Sequence, residues 1–405
     1  MALSTALSGI NAAQADLNVI ANNIANANTT GFKGSRAQFA DIFAVTGVNL
    51  NSTATGSGVR LDSVAQQFAQ GDVAITNNSL DMAISGNGFF AINDGSGVRY
   101  TRAGDFRKDA NNNVVTPGGA FLQIYPPNGA GGFDTSTLSP LQLTAAQSNA
   151  TATTAITMTS NLPANSTVPV NAFSPTDATS YNAATPVTVY DSQGGSHQGT
   201  VYYVKTGTNG WNANLYVDGT SAGTQPLTFD VNGNLATPVG GNMTFNPLNL
   251  GNGSAPLALS VNVSNTTQFG TDYSPGAVTQ DGHAAGTFSS IDVDSNGVVT
   301  ANYSNNQSAQ LGQIAMANFP NLQGLRQMGD SSWAASGDSG VAIMGTAGLG
   351  QFGSIQSGAL ESSNTSDTTS QLVNMIQAQR DYQANAQVLS TDSTLASALF
   401  NAVSR

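Results

Sequence analysis

Leucine and isoleucine recur at every seventh position of the first thirty residues, at Leu3, Ile10, Leu17 and Ile24. Ala6, Ala13, Ile20 and Ala27 run along one flank of that line, and Leu7 and Ala21 along the other. Seven-residue spacing holds an apolar stripe against one partner, as in a coiled coil. The far end of the chain repeats the theme: Leu372, Ile376, Tyr382, Leu389, Leu395, Leu399 and Val403 fall at helical intervals on an uninterrupted segment. Glu361 to Asp367 starts that second helix, with Asn364 and Asp367 spaced as in a capping box. Ending near Val403, it would have about 40 residues and a length of about 60 Å, and a helix so long needs partners along its whole length. Gly31, after Asn28, Thr29 and Thr30, stops the first helix as a C-terminal glycine does.

The faces opposite these stripes are unusual. Asp16 is the only charged side chain among the first thirty residues, and the polar face is built from Ser8, Asn11, Gln14, Asn18 and Asn22. A helix exposed to water normally carries charge there, so this one is expected to be packed on more than one side, by a helix of its own chain and by neighbouring copies. The shortage of charge is general: 8% of the 405 residues are charged, against roughly a quarter in a typical soluble domain. The surface must be built largely from Asn, Ser, Thr, Gln and Gly.

The net charge of -12 excludes nucleic-acid binding through a basic patch, since Lys205 is the only basic residue between Lys108 and Arg326. Glu361 is the only glutamate, so the acidity comes from scattered Asp residues, many beside Gly or Asn as turn residues are. Cysteine is absent, which removes disulfides, thiolate catalysis and sulfur metal sites. Met1-Ala2-Leu3-Ser4 has no basic region and no continuous apolar core follows, so neither a cleaved secretory signal nor membrane insertion is expected.

A chain of this length is expected to form two or more domains. Residues 31–70 read as a connecting, partly ordered linker, with Phe32, Phe39, Ile42 and Phe43 clustered early and a Gly/Ser/Thr/Asn stretch from Asn49 to Gly58. Its Lys33, Arg36 and Arg60 are expected to be solvated loop charges. From Gly71 the period becomes that of strands. Asp81 to Ser85 and Gly88 to Ile92 are short β runs, and Tyr100 to Thr116 holds two more, parted by Asp109 to Asn113. In a second β region Leu257, Leu259, Val261 and Val263 alternate with polar or small residues, and Pro186 to Tyr190, Thr200 to Val204 and Asn212 to Val217 are further strands. Ser289 to Val293, Val298 to Tyr303, Leu311 to Phe319 and Val341 to Met344 then return to the first pattern. The expected fold is mostly β with terminal α-helices. A helical domain of 1–30 and 360–405 and a discontinuous β domain of 71–144 and 285–359 enclose an inserted β sandwich or barrel of 145–284.

Motifs that could carry chemistry have plainer explanations. Gly348 to Gly353 matches G-x-G-x-x-G, but no helix opens there and no βαβ unit surrounds it. Asp292 to Gly297 imitates the start of a calcium loop, yet Tyr303 stands where the bidentate Glu belongs, so a hairpin turn is expected, as at Asp230 to Gly233. His197 and His283 lie in separate Gly-rich turns and read as surface residues. No catalytic, cofactor-binding or metal-ligating set is assigned.

Ser8-Gly9-Ile10, Leu17, Ala21-Asn22-Asn23-Ile24-Ala25-Asn26 and Thr29-Thr30-Gly31-Phe32-Lys33 resemble the N-terminal signature of bacterial flagellar rod and hook proteins. Gly358-Ala359-Leu360-Glu361-Ser362-Ser363-Asn364, then Leu372-Val373, Met375-Ile376 and Gln379-Arg380-Asp381-Tyr382-Gln383-Ala384-Asn385, resemble their C-terminal signature. Tyr100 to Phe106 and Asn318 to Leu325 are similar to further motifs of these axial proteins. The likeness covers about residues 1–145 and 285–405, and length plus the inserted domain point to the hook branch. Leu122-Gln123-Ile124-Tyr125 departs from the family, which usually has Gly after the Gln.

The resemblance implies a subunit exported through the flagellar type III apparatus without signal cleavage. Outside the cell, copies would stack into a curved, hollow helical tube that passes torque from rod to filament as a universal joint. Its expected partners are further copies of itself, the flagellar rod, the hook–filament junction proteins and, during assembly, the hook cap. A distal rod subunit, a secreted β-domain adhesin and a polymer-degrading enzyme are the competing readings.

Overall fold

The computed structural model describes residues 2–42, 56–129, 131–143, 147–365 and 367–403. Phe43, the stretch 49–55 and the side chain of Val403 lie outside the described residues. The chain divides into two compact units: Met1–Thr144 with Ser290–Ala301 and Ala309–Arg405, and Ala145–Ser289 with Asn302–Ser308.

The first unit opens with helix α1, Ala2–Ala25, and closes with α2, Thr368–Val403. They run antiparallel: Gly9 lies against Asn385, while the backbone carbonyl of Asn23 accepts a hydrogen bond from Thr365 Oγ1 at 3.0 Å. At 36 residues α2 is about 54 Å long and outruns α1, so 393–402 are all exposed. Asp367 is its cap, accepting from the backbone N–H groups of Thr369 (3.2 Å) and Ser370 (3.3 Å). Asn364 does not take part in that cap, contrary to the sequence-based expectation; its side chain is used elsewhere.

The connecting segment is more ordered than its composition suggested. Strands β1 (Ser35–Asp41) and β2 (Val59–Gln66) form an antiparallel ribbon with a bulge at Gln38/Phe39. Beyond it, strands from both sides of the insertion pair with each other. Val73–Ile75 pairs with Ala359–Glu361 and Met82–Ser85 with Ser354–Ser357, and Phe89–Asn93 meets the strand Ser308–Asn318 through Phe90 and Met316. The β domain is therefore discontinuous in sequence. Its core gathers Met82, Ile84, Phe90, Ile92, Phe106, Leu122, Ile124, Ile314 and Met316, with an aromatic group of Phe89, Tyr100, Phe319 and Trp333 beside it.

The second unit is a sandwich. Five antiparallel strands, Ala183–Tyr190, Ser196–Gly207, Gly210–Val217, Thr220–Phe229 and Leu235–Thr237, follow one another in sequence order. A four-stranded sheet places Ala155–Asn161 between Ser260–Asn262 and Ser274–Gln280. One core joins both sheets, with Val201, Tyr203, Trp211 and Leu215 from the first and Ile156, Met158, Leu259 and Val261 from the second. Leu257, Leu259, Val261 and Val263 are all buried; the strand covers Ser260–Asn262, and Leu257 forms a separate antiparallel bridge with Leu248.

One device recurs in the turns of both units. The carboxylates of Asp109, Asp191, Asp230 and Asp294 each accept the N–H groups of the second and fourth residues ahead, at 2.7–2.9 Å. Scattered acidity is thus spent on turn closure. The Gly348 to Gly353 run is another turn, closed by Gly348 N–H donating to the Gly353 carbonyl, and no helix begins there.

Candidate assembly interface

The seven-residue spacing in α1 is real, but the line that closes against the rest of the chain is displaced from Leu3, Ile10, Leu17 and Ile24. Ala6, Ala13 and Ile20, with Ala27 just past the helix, are buried. Ile10, Leu17 and Ile24 are half-buried, and Leu3 and Leu7 are each 50% exposed. On α2 the inward side is Gln371, Met375, Ala378, Asn385, Leu389 and Asp392, of which Ala378 alone is fully buried. Small residues take the seam where the helices come closest, near Gly9, and Ile20 fills it further along. A Cβ at Gly9 would stand 2.5 Å from the Asn385 side-chain oxygen.

The larger apolar groups are left outside. Leu372, Ile376, Tyr382, Leu395 and Leu399 are all exposed, Leu399 to 66%. These side chains line long helix faces that the described residues leave uncovered. Singly exposed leucines are ordinary, but rows of them on both helices of a pair are the mark of an interaction surface. Among the described residues no helix is long and apolar enough to cross a membrane.

Where α1 ends and α2 begins, the two terminal signatures meet in one buried cluster. Gly31 adopts φ 65°, and its N–H donates to the Glu361 carbonyl at 2.8 Å. A Cβ there would meet Ala103 N at 2.4 Å, so glycine is required by both conformation and space. Phe32 is buried behind it. Lys33, expected to be a solvated loop charge, is instead fully buried: its Nζ lies 2.5 Å from Glu361 Oε1 and 2.7 Å from the Ala69 carbonyl. Arg102 completes the group, with Nη1 3.3 Å from Glu361 Oε2 and Nη2 donating to the Gly86 carbonyl at 2.6 Å. Its guanidinium also lies over Phe89, 5.5 Å from the ring centroid. Burial pulls Lys33 and Arg102 below their ordinary pKa values, and the Glu361 carboxylate pulls both back.

Amides extend this joint. Asn23 exchanges hydrogen bonds with Ser35 through both ends of its side chain, at 2.8 and 2.9 Å. Asn364 accepts from Gly34 N–H at 2.7 Å and donates to the Gln67 carbonyl at 2.5 Å, which explains its absence from the helix cap. Asn26 donates to the Asn22 carbonyl and accepts from Thr29, shaping the end of α1. Gly358, at φ 70°, accepts from Thr76 N–H, and Leu360 pairs with Ala74 on the adjoining strand. Arg380 alone of the signature residues stands apart, exposed on α2. Arg102 was not singled out from the sequence, although a lone glutamate in so long a chain is a signal that it must neutralise something.

The histidines are likewise not simple surface residues. His197 sits between two carboxylates, Nδ1 2.6 Å from Asp218 and Nε2 3.2 Å from Asp191, with its side chain 13% exposed. His283 is half-buried, its Nδ1 3.3 Å from the Ala284 carbonyl.

Four family descriptions match this chain in parts. "Flagella basal body rod protein" covers residues 3–33, "Flagellar hook protein FlgE/F/G D1 domain" 83–168, "Flagellar basal body protein FlaE D2 domain" 161–283, and "Flagellar basal body rod FlgEFG protein C-terminal" 356–402. The flagellar hook protein FlgE of Escherichia coli is 42% identical over 414 residues, spanning 99% of this chain and 100% of that protein. The FlgE of Borreliella burgdorferi is 31% identical over 430 residues, spanning 97% of each. The crystal structure of Helicobacter pylori flagellar hook protein FlgE2 shares the fold, with a TM-score of 0.52 at 17% identity over 71% of this chain and 100% of that one. With both terminal signatures joined in one buried cluster and relatives alike from end to end, the chain belongs to the flagellar hook protein FlgE family.

Proposed function

We propose that this chain is the structural subunit of the flagellar hook and polymerises outside the cell into a curved, hollow helical tube that transmits torque from rod to filament. The observation that carries the reading is the row of large apolar side chains left exposed on α1 and α2, from Leu3 and Leu7 to Leu372, Ile376, Leu395 and Leu399. Heterologous contacts between such surfaces, where their rotation does not close, generate open helical polymers. In this reading residues 1–30 and 360–405 form the inner tube, 71–144 and 285–359 the middle layer, and 145–284 the outer one. The firm contacts lie in the helices. The sparsely charged Asn/Ser/Thr/Gly surfaces of the β domains make weaker contacts that exchange as the tube bends. The subunit has no catalytic role, leaves the cell by the flagellar type III route, and meets the rod, the hook cap and the hook–filament junction proteins at the ends of the tube. Electron microscopy of the purified chain under polymerising conditions tests this. Curved tubes are expected; straight rods would favour a distal rod subunit, and the absence of any polymer would refute the reading.

A further inference from the structure

Charge is so scarce on the helix pair that each charged group has a readable position. Within α1 and α2 the charged side chains are Asp16, Arg380, Asp381 and Asp392. Asp16 is half-buried on α1 and coupled to two nearby charges, Asp381 across the helix pair and Arg36 on β1. Burial raises its pKa; Arg36 lowers it, by more than Asp381 raises it. Asp16, Arg36 and Gln377, which holds Asp381, line one recess, so two carboxylates there face one cation and the pair is under-neutralised by count in the single chain. Asp381 itself is exposed, held by Gln377 Nε2 at 3.2 Å.

Arg380 is next to Asp381 in sequence and is nevertheless directed elsewhere. Ala378 is the residue of α2 buried against the fold. At about 100° per residue, Arg380 lies roughly 200° around the helix from Ala378, whereas Asp381 lies about 60° from it on the other side. The positive group is therefore on the outward face of α2, and the two carboxylates lie along the α1–α2 groove. Among the described residues the Arg380 side chain has no ion pair or hydrogen bond. One subunit thus presents a cation on one surface and an under-neutralised acidic pair on another. That arrangement is complementary between copies only when unlike surfaces meet, as they do in a heterologous, non-closing contact.

We infer that Arg380 of one subunit docks onto the Asp16/Asp381 pair of the next, fixing the register with which the apolar helix faces stack. The partner is a second copy of this chain, and the inference rests on the hook reading above. An unpaired rim charge adds little to stability, but like charges brought together across a closing interface are costly, so the pair acts chiefly on register and specificity.

Charge reversal in the full-length chain tests it. Arg380→Asp and Asp381→Arg, both at exposed positions, are expected to leave the monomer's circular dichroism unchanged, with the Tm unchanged for Arg380→Asp and unchanged or raised for Asp381→Arg, which replaces a like charge near Asp16. Both are expected to raise the critical concentration for polymerisation about tenfold or more, given the like charges each brings together between copies. An equimolar mixture of the two variants is expected to polymerise near the wild-type concentration, because alternating subunits restore opposite charges at every contact. Asp16→Asn is expected to leave the monomer folded with its Tm unchanged or raised, because it removes a half-buried carboxylate whose charge burial disfavours, and yet to weaken polymerisation. Equal critical concentrations for wild type and both reversals, or a mixture no better than either variant alone, would overturn the proposal. If the wild-type chain itself forms no polymer, the hook reading fails instead, and the two failures are separable.

Discussion

Glu361 joins segments far apart in the chain. Its carboxylate is bonded to Lys33, Arg102 and the Gly71 N–H, and its backbone carbonyl to Gly31. Lys33 and Glu361 have no exposed side-chain surface. Glu361→Gln would leave two buried cations facing a neutral amide, so unfolding stability should fall by about 3–5 kcal/mol, the usual cost of breaking a buried ion pair from one side. Urea denaturation of the full-length chain checks this. None of this geometry was legible in the sequence. The paired groups are separated by 328 positions, and neither composition nor periodicity links residues across such a gap. The roles of the Asp residues were legible, because an Asp followed by Asn or Gly closes its own turn locally.

At the scale of elements, periodicity located both helices but could not say which of two parallel seven-residue lines faces inward. Ala6 and Ala13 take that place over Leu3 and Ile10 where the helices come close at Gly9, while further along the same line Ile20 is buried. The ribbon β1–β2 was obscured by the Gly- and Ser-rich sequence between its strands. In the sandwich, His197 joins two turns: Asp191 follows the strand Ala183–Tyr190, and Asp218 follows Gly210–Val217. The Asp218 and Asp191 contacts raise the His197 pKa above its ordinary 6.5 against the opposing effect of burial. Burial would raise the Asp191 carboxyl, but His197, the backbone N–H groups and Asn252 together hold it down to about 2, and Asp218 is lowered by His197. The histidine's contribution is full below 6.5 and is lost as pH rises through its raised value. The carboxylates contribute fully above 3.8, and their contribution is lost as pH falls through their lowered values. The unfolding temperature of the sandwich should therefore be highest between those limits, and His197→Gln should remove the alkaline decline. A profile that the substitution leaves unchanged would show that the clamp carries no stability.

Over the whole molecule, the nested arrangement was readable in outline because strand patterns of one kind stop, give way to another and resume before the last helix. In the hook reading the exposed helical faces are the contact surfaces between subunits. In the single chain α1 and α2 bury a narrow line and leave Leu3, Leu7, Leu372, Leu395 and Leu399 outside, so the hook reading requires those leucines to be covered by neighbouring subunits. The most direct measurement is paired calorimetry and sedimentation of Leu395→Asp, at a position 58% exposed in the single chain. The monomer should unfold at the wild-type temperature while no polymer sediments, since a carboxylate buried without a partner at every subunit contact is prohibitive. Tubes sedimenting as in wild type would contradict the account.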